Sequence, residues 1–166
     1  MGIPQNPERL QPQTTPSAST APSSSSNRKD PSTLPPEALA LTDKLFDFAR
    51  QGATVSLNQY ISAGIPVNLT NHKGDTLLML AAYHGHVPTV KMLVEKGADV
   101  NALNERGQSP IAGAVFKGYE DEGGVVEVLV QGGADLFAGQ PNAVDSARMF
   151  RRERCLRLFG VEEGST

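Results

Sequence analysis

The sequence predicts an all-α repeat solenoid of about four helix-turn-helix units with β-turn tips, preceded by a disordered tail. Three observations predict it. The first is a period. The stretch Asn71–Asn101 returns further along the chain at one constant offset, with Gly74 answered by Gly107, Gly85 by Gly118 and Ala82 by Val115. A fixed period of about 33 residues marks stacked supersecondary units. The second is apolar spacing of three and four residues within each unit, the signature of amphipathic helices. The third is a glycine just past each second helix, at Gly64, Gly97 and Gly133. Glycine takes the left-handed conformation there at little cost.

Residues 1–36 form one compositional block. They hold eight of the twelve prolines, the run Ser23–Ser26 and almost no large apolar side chain. Such a segment cannot bury enough surface to offset chain entropy, so disorder is expected. It reads as a solubilising extension, the alternative being a phosphorylatable or partner-binding tail. Residues 37–160 form the repeat domain, in approximate units 37–70, 71–103, 104–139 and 140–160. Residues 161–166 read as a flexible C-terminus.

The first unit is degraded. Glu37 to Arg50 carries Leu39, Leu41, Leu45, Phe46 and Phe48 at helical spacing, and Gly52 stands one period before Gly85. Its second helix spans Val55 to Ser62, with Val55, Leu57, Tyr60 and Ile61 apolar. The second unit opens on Asn71-His72-Lys73-Gly74, a type I turn signature. Thr76 caps a helix from Leu77 to Tyr83. Gly85-His86 breaks it, and Pro88 suits the first turn of the next helix, where a missing N–H costs nothing. Asn104-Glu105-Arg106-Gly107 and Ser109-Pro110 repeat the turn and cap. The step from Gly97 to Gly133 is longer than that from Gly64 to Gly97, and the extra length falls within Gly118–Gly124. It forms either a binding loop or a tolerated insertion. In the last unit Asn142–Phe150 reads as a first helix and Arg151–Phe159 as a second. Arg151, Arg152, Arg154 and Arg157 give the polar outer face that an end cap needs.

These residues resemble the ankyrin repeat family over about Leu39–Phe159. The match is strongest at Gly74–His86 and Leu93–Ala102. The chain is also similar to short free-standing ankyrin repeat proteins of fungi and bacteria. The family usually opens its first helix with Thr-Pro-Leu-His. Here the units have Thr76-Leu77-Leu78-Met79 and Ser109-Pro110-Ile111-Ala112. The hydrogen bonds that the histidine makes are therefore expected to be absent or replaced. The resemblance implies recognition through turn tips and the exposed part of each first helix. Carried over, these positions are His72, Lys73, Asp75, Tyr83 and His84 in the second unit, and Glu105, Arg106, Gln108, Phe116 and Lys117 in the third. Tyr83 and Phe116 stand one period apart and read as binding anchors ringed by charge. The alternative is that each aromatic packs over its neighbour's helix.

Composition narrows the function classes. A net charge of −3 argues against a general nucleic-acid binder. One cysteine, Cys155, rules out an internal disulfide and fits a reducing compartment. No apolar run approaches the ~20 residues of a membrane helix. The opening MGIPQN lacks a secretory layout, and Asn6 does not fit myristoylation. Arg9, Arg28 and Lys29 are too scattered for a mitochondrial signal. The cytoplasm is the default, with nuclear entry open.

Catalysis has little to build on. His72, His84 and His86 lack the acidic or cysteine neighbours that a metal site wants. Cys155 lies in an apolar helix stripe and reads as core. Glu120, Asp121 and Glu122 sit in a Gly-rich loop that would not preorganise an active site. No phosphate-binding or nucleophile-elbow motif occurs. No enzyme activity, cofactor, metal or small-molecule substrate is expected. The reading is a monomeric, non-enzymatic protein-binding module: an adaptor, inhibitor or client escort. The alternative is a nucleic-acid or ribonucleoprotein contact through the arginine-rich cap helix.

Overall fold

The computed structural model describes residues 36–119, 121 and 123–161. The expected tail up to residue 35, Glu120, Glu122 and residues 162–166 lie outside the described residues. Among the described residues eight helices follow one another: α1 (Pro36–Gln51), α2 (Thr54–Ser62), α3 (Leu77–Tyr83), α4 (Val87–Glu95), α5 (Pro110–Lys117), α6 (Val125–Gln131), α7 (Ala143–Met149) and α8 (Glu153–Leu158). Each odd helix packs on the even helix that follows it. The odd helices also pack in series, α1 on α3, α3 on α5 and α5 on α7, while α2, α4 and α6 form the second layer. The described residues thus form an all-helical solenoid of stacked helix pairs.

No pair can bury its own apolar face, and stacking supplies the missing surface. Leu45, Leu57, Leu77, Leu78, Val90, Leu93, Ile111, Val115, Val125 and Leu129 are fully buried between the layers. Cys155 is buried with Leu156 in the same core. Thr89, also buried, is satisfied by a 2.7 Å hydroxyl–hydroxyl bond to Thr54, which ties α4 to α2. Of the apolar residues of α2, Val55 is 73% exposed, whereas Leu57, two residues on, is fully buried. Two residues turn a helix by about 200°, so only one of them can face inward.

The first helices of the last three pairs start on side-chain caps. The Thr76 hydroxyl accepts from the Met79 N–H at 3.1 Å, the Ser109 hydroxyl from Ala112 at 3.3 Å, and the Asn142 carbonyl from Asp145 at 2.8 Å. The histidine expected to be missing is replaced in one unit. The Thr76 N–H donates to the Met79 thioether at 3.5 Å, a weak substitute. In the next unit Ala112 offers no such acceptor.

The turn tips are welded in series. The Asn71 side chain accepts from the N–H groups of Lys73 and Asp75, and Asn104 does the same for Arg106 and Gln108. The Glu105 N–H donates to the Lys73 carbonyl at 3.1 Å, and the Gln140 N–H to the Gly107 carbonyl at 2.8 Å. The tips therefore align as one edge beside the first helices.

A second ladder runs through the loops inside each pair. Gly52, Gly85 and Gly118 have positive φ, and Arg151 holds the corresponding place in the last pair with φ 53°. A Cβ on Gly52 would meet the His86 ring, one on Gly85 the Tyr119 ring, and one on Gly118 the Arg152 guanidinium, at 2.5–2.8 Å. This corrects the expectation for Arg152. It turns inward and donates to the Phe116 carbonyl at 3.2 Å instead of coating the outer face. The other cap arginines, Arg151, Arg154 and Arg157, are exposed.

Candidate protein-binding groove

The aligned tips and the exposed sides of α3, α5 and α7 enclose a groove of about 520 Å³. Lys73, Asp75, Asn104, Arg106 and Gln108 line it from the tips. Met79, Leu80, Tyr83 and His84 come from α3 and its C-terminus, and Pro110, Gly113 and Phe116 from α5. Pro110, Gly113 and Phe116 share a helix face because they recur every three residues. Met149 and Phe150 extend the lining to the last pair.

The aromatic side chains form a row across three units. The Tyr83 and Phe116 rings stack at 6.5 Å with 12° between planes, and Phe116 meets Phe150 edge-on at 5.0 Å. Tyr83 stands edge-on to His84 at 5.5 Å, and His84 stacks on His86 at 6.3 Å. Such pairs hold ring geometry at about 0.5–1.5 kcal/mol each. Gly113 adds no side chain beside the row, and a Cβ there would meet Tyr83 only in ordinary contact at 3.6 Å. The row stays open to solvent: Tyr83 is 39% exposed, Phe116 47%, Phe150 38% and Met149 65%. Packing against neighbours and exposure thus coexist in the same rings.

Charge is arranged around the row. Lys117 places its ammonium 5.1 Å from the Tyr83 ring centroid, a cation–π contact that holds both side chains. The Asp75 carboxylate accepts from the Asn104 amide at 2.8 Å and the Asn71 amide at 3.3 Å, so it helps to join two tips. The His86 ring bonds the Arg50 carbonyl at 2.7 Å. His84 has its pKa lowered, first by burial and then by the nearby His86, Lys117 and Arg50 charges. It is therefore neutral at pH 7. No group of three or more potential metal ligands converges among the described residues.

Of the ten sequence-predicted recognition residues, Lys73, Asp75, Tyr83, His84, Arg106, Gln108 and Phe116 line one groove. Lys117 stands at its rim. His72 and Glu105 are exposed on the tips but do not line it. Sequence reasoning missed Met149 and Phe150. Met149 lies one period beyond Phe116, so the spacing that pairs Tyr83 with Phe116 points to it as well.

The family profile described as ankyrin repeats in three copies matches residues 45–139, more than half of the chain. The chain belongs to the ankyrin repeat family. Among its relatives, a putative ankyrin repeat protein of Pseudomonas aeruginosa is 54% identical over 56 residues, which are 34% of this chain and 33% of that one. The inactive serine/threonine-protein kinase TEX14 of Mus musculus is 33% identical over 97 residues, 58% of this chain and 6% of its own length. The crystal structure of the human ASB11 ankyrin repeat domain superposes with a TM-score of 0.59 at 27% identity, covering 69% of this chain and 51% of that one. The ankyrin chain thus spans about a third of the bacterial relative and a small part of the kinase. Ankyrin repeats are generally protein–protein interaction modules. No helix among the described residues is long and apolar enough to cross a membrane.

Proposed function

We propose that the chain is a non-enzymatic binding module that recognises a protein partner through the groove formed by the turn tips and first helices. Its domain is taken as residues 37–160, acting as a cytoplasmic monomer with access to the nucleus open. One observation carries the reading: Tyr83, Phe116 and Phe150 form a preorganised, solvent-open row across three units. Rigid aromatics with a polar surround give interfaces most of their energy. Lys73, Arg106 and Gln108 supply polar contacts on one side of the row, and Lys117 and His84 on the other. An adaptor, inhibitor or client escort each fits such a surface.

Crosslinking capture with the wild type and with Tyr83→Ala/Phe116→Ala tests it. Loss of two central aromatics should cost about 2 kcal/mol or more, roughly 30-fold in affinity. The same partners held at the same strength would remove the groove from the binding reading. The alternative, a nucleic-acid contact at the cap, is supported by the exposure of Arg148, Arg151, Arg154 and Arg157. Arg152 does not contribute to it. That reading requires binding that weakens with salt and with charge reversal of those four arginines.

A further inference from the structure

We propose that the groove takes an acidic peptide segment that carries a bulky apolar side chain, an inference that rests on the groove being the binding face. Lys73 and Arg106 occupy equivalent places on successive tips and line the groove. Neither makes an ion pair among the described residues. Asp75 is the one carboxylate in the lining among the described residues, and its two oxygens are engaged by Asn104 and Asn71. Glu105 sits on the tip outside the lining. Lys117 adds a third cation at the rim, over Tyr83. The groove is thus cationic on a chain whose net charge is −3. A basic segment would meet these cations with like charge, which costs several kcal/mol at an interface. A neutral one would desolvate them without a partner.

The other half of the recognition is apolar. Tyr83, Phe116, Met149 and Phe150 present open rings and a thioether beside those cations. Methionine adapts its shape to an incoming side chain and packs well on aromatics. Gly113 contributes bare backbone to the same lining. The groove crosses three units with Tyr83, Phe116, Met149 and Phe150 exposed along it, which suits an extended chain better than an enclosed small molecule. A single nucleic-acid strand also wants rings and cations, but it carries a phosphate on every nucleotide. Two cations at the tips with a carboxylate between them do not match that density.

The test is selection from a random displayed-peptide library on the full chain, followed by titration of a synthetic copy of the most enriched peptide. Enriched peptides should place Asp or Glu within a few residues of Phe, Leu, Met or Trp. The synthetic peptide should lose about tenfold or more in affinity against K73E/R106E, and regain it when its acids are changed to Lys. Circular dichroism of that variant verifies the fold. Enriched peptides without an acidic excess, or equal binding by the two charge states, would overturn the acidic-peptide assignment and leave the groove reading standing. Displacement by oligo-dT would overturn it in favour of a nucleic-acid strand. Enrichment unchanged by Tyr83→Ala/Phe116→Ala, or no enrichment at all, would overturn the groove reading as well.

Discussion

The second and fourth helix pairs start from the same plan and end differently. In the second, α4 has nine residues, packs between α2 and α6, and buries Leu93 completely. In the fourth, α8 has six residues and packs mainly on α7, with Leu158 exposed. The second pair keeps glycine at its left-handed loop position, Gly85, where the fourth has Arg151. What the fourth pair lacks in core it presents to the groove, through Met149 and Phe150. An inner unit is specified by packing on both sides. A terminal unit is free to use its apolar residues at a surface.

The largest effect should come from that packing difference. Leu93→Ala should cost about 2–5 kcal/mol in a denaturant melt, because two stacked neighbours hold the cavity open. Leu156→Ala, in the terminal pair, should fall at or below the lower end of that range. Lys73→Ala, on an exposed tip, should stay within about 0.5 kcal/mol. Equal losses for Leu93→Ala and Leu156→Ala would dissolve the distinction between inner and terminal units.

Next comes the left-handed loop position. Gly85→Ala puts a Cβ 2.6 Å from the Tyr119 ring at φ +78°. Left-handed backbone alone costs an alanine roughly 1–2 kcal/mol, so a loss of about 1–3 kcal/mol is expected. Arg151→Gly should act in the opposite direction. It relieves the same backbone cost, and the entropy of an added glycine offsets about 0.5–1 kcal/mol of that. A small net stabilisation, under about 1 kcal/mol, should appear as a raised Tm. If Arg151→Gly destabilises as much as Gly85→Ala, the two positions are not equivalent and the register of the last pair is wrong.

That register shows what the sequence could and could not convey. The period through Gly52, Gly85 and Gly118 was readable because glycine marks the left-handed position. At Arg151 the period persists while its marker residue is absent. The inward turn of Arg152 was hidden for a related reason: its counterparts are His86 and Tyr119, so three unrelated side chains fill one structural place. The caps at Thr76 and Ser109 were legible from local chemistry. Val55 was not, since an apolar residue in a short helix does not fix the helix phase. In the groove, Tyr83 and Phe116 could be placed from their spacing. Phe150 could not, because its ring enters the row one residue later than the period predicts.

The smallest expected effect compares the same two ends of the groove by charge. His84 sits at the end of the aromatic row opposite Phe150, beside His86, Lys117 and Arg50. Burial and those cations lower its folded-state pKa below the unfolded value of about 6.5. The unfolded chain therefore takes up this proton first as pH falls. His84 leaves stability untouched above about pH 6.5 and subtracts from it as pH drops below that toward the folded pKa. His84→Gln removes this titration, so the Tm gap between wild type and variant should shift in the variant's favour between pH 7.5 and 5. A gap that stays constant over that window would mean that His84 titrates alike in both states, and that the cations do not act on it. His86 and Lys117 face His84 from neighbouring elements, so His86→Gln should reduce the His84 effect without abolishing it. An acidic ligand in the groove works in the opposite sense, because a carboxylate near His84 favours its proton. The bound protein should then show a weaker loss of stability below pH 6.5 than the free one.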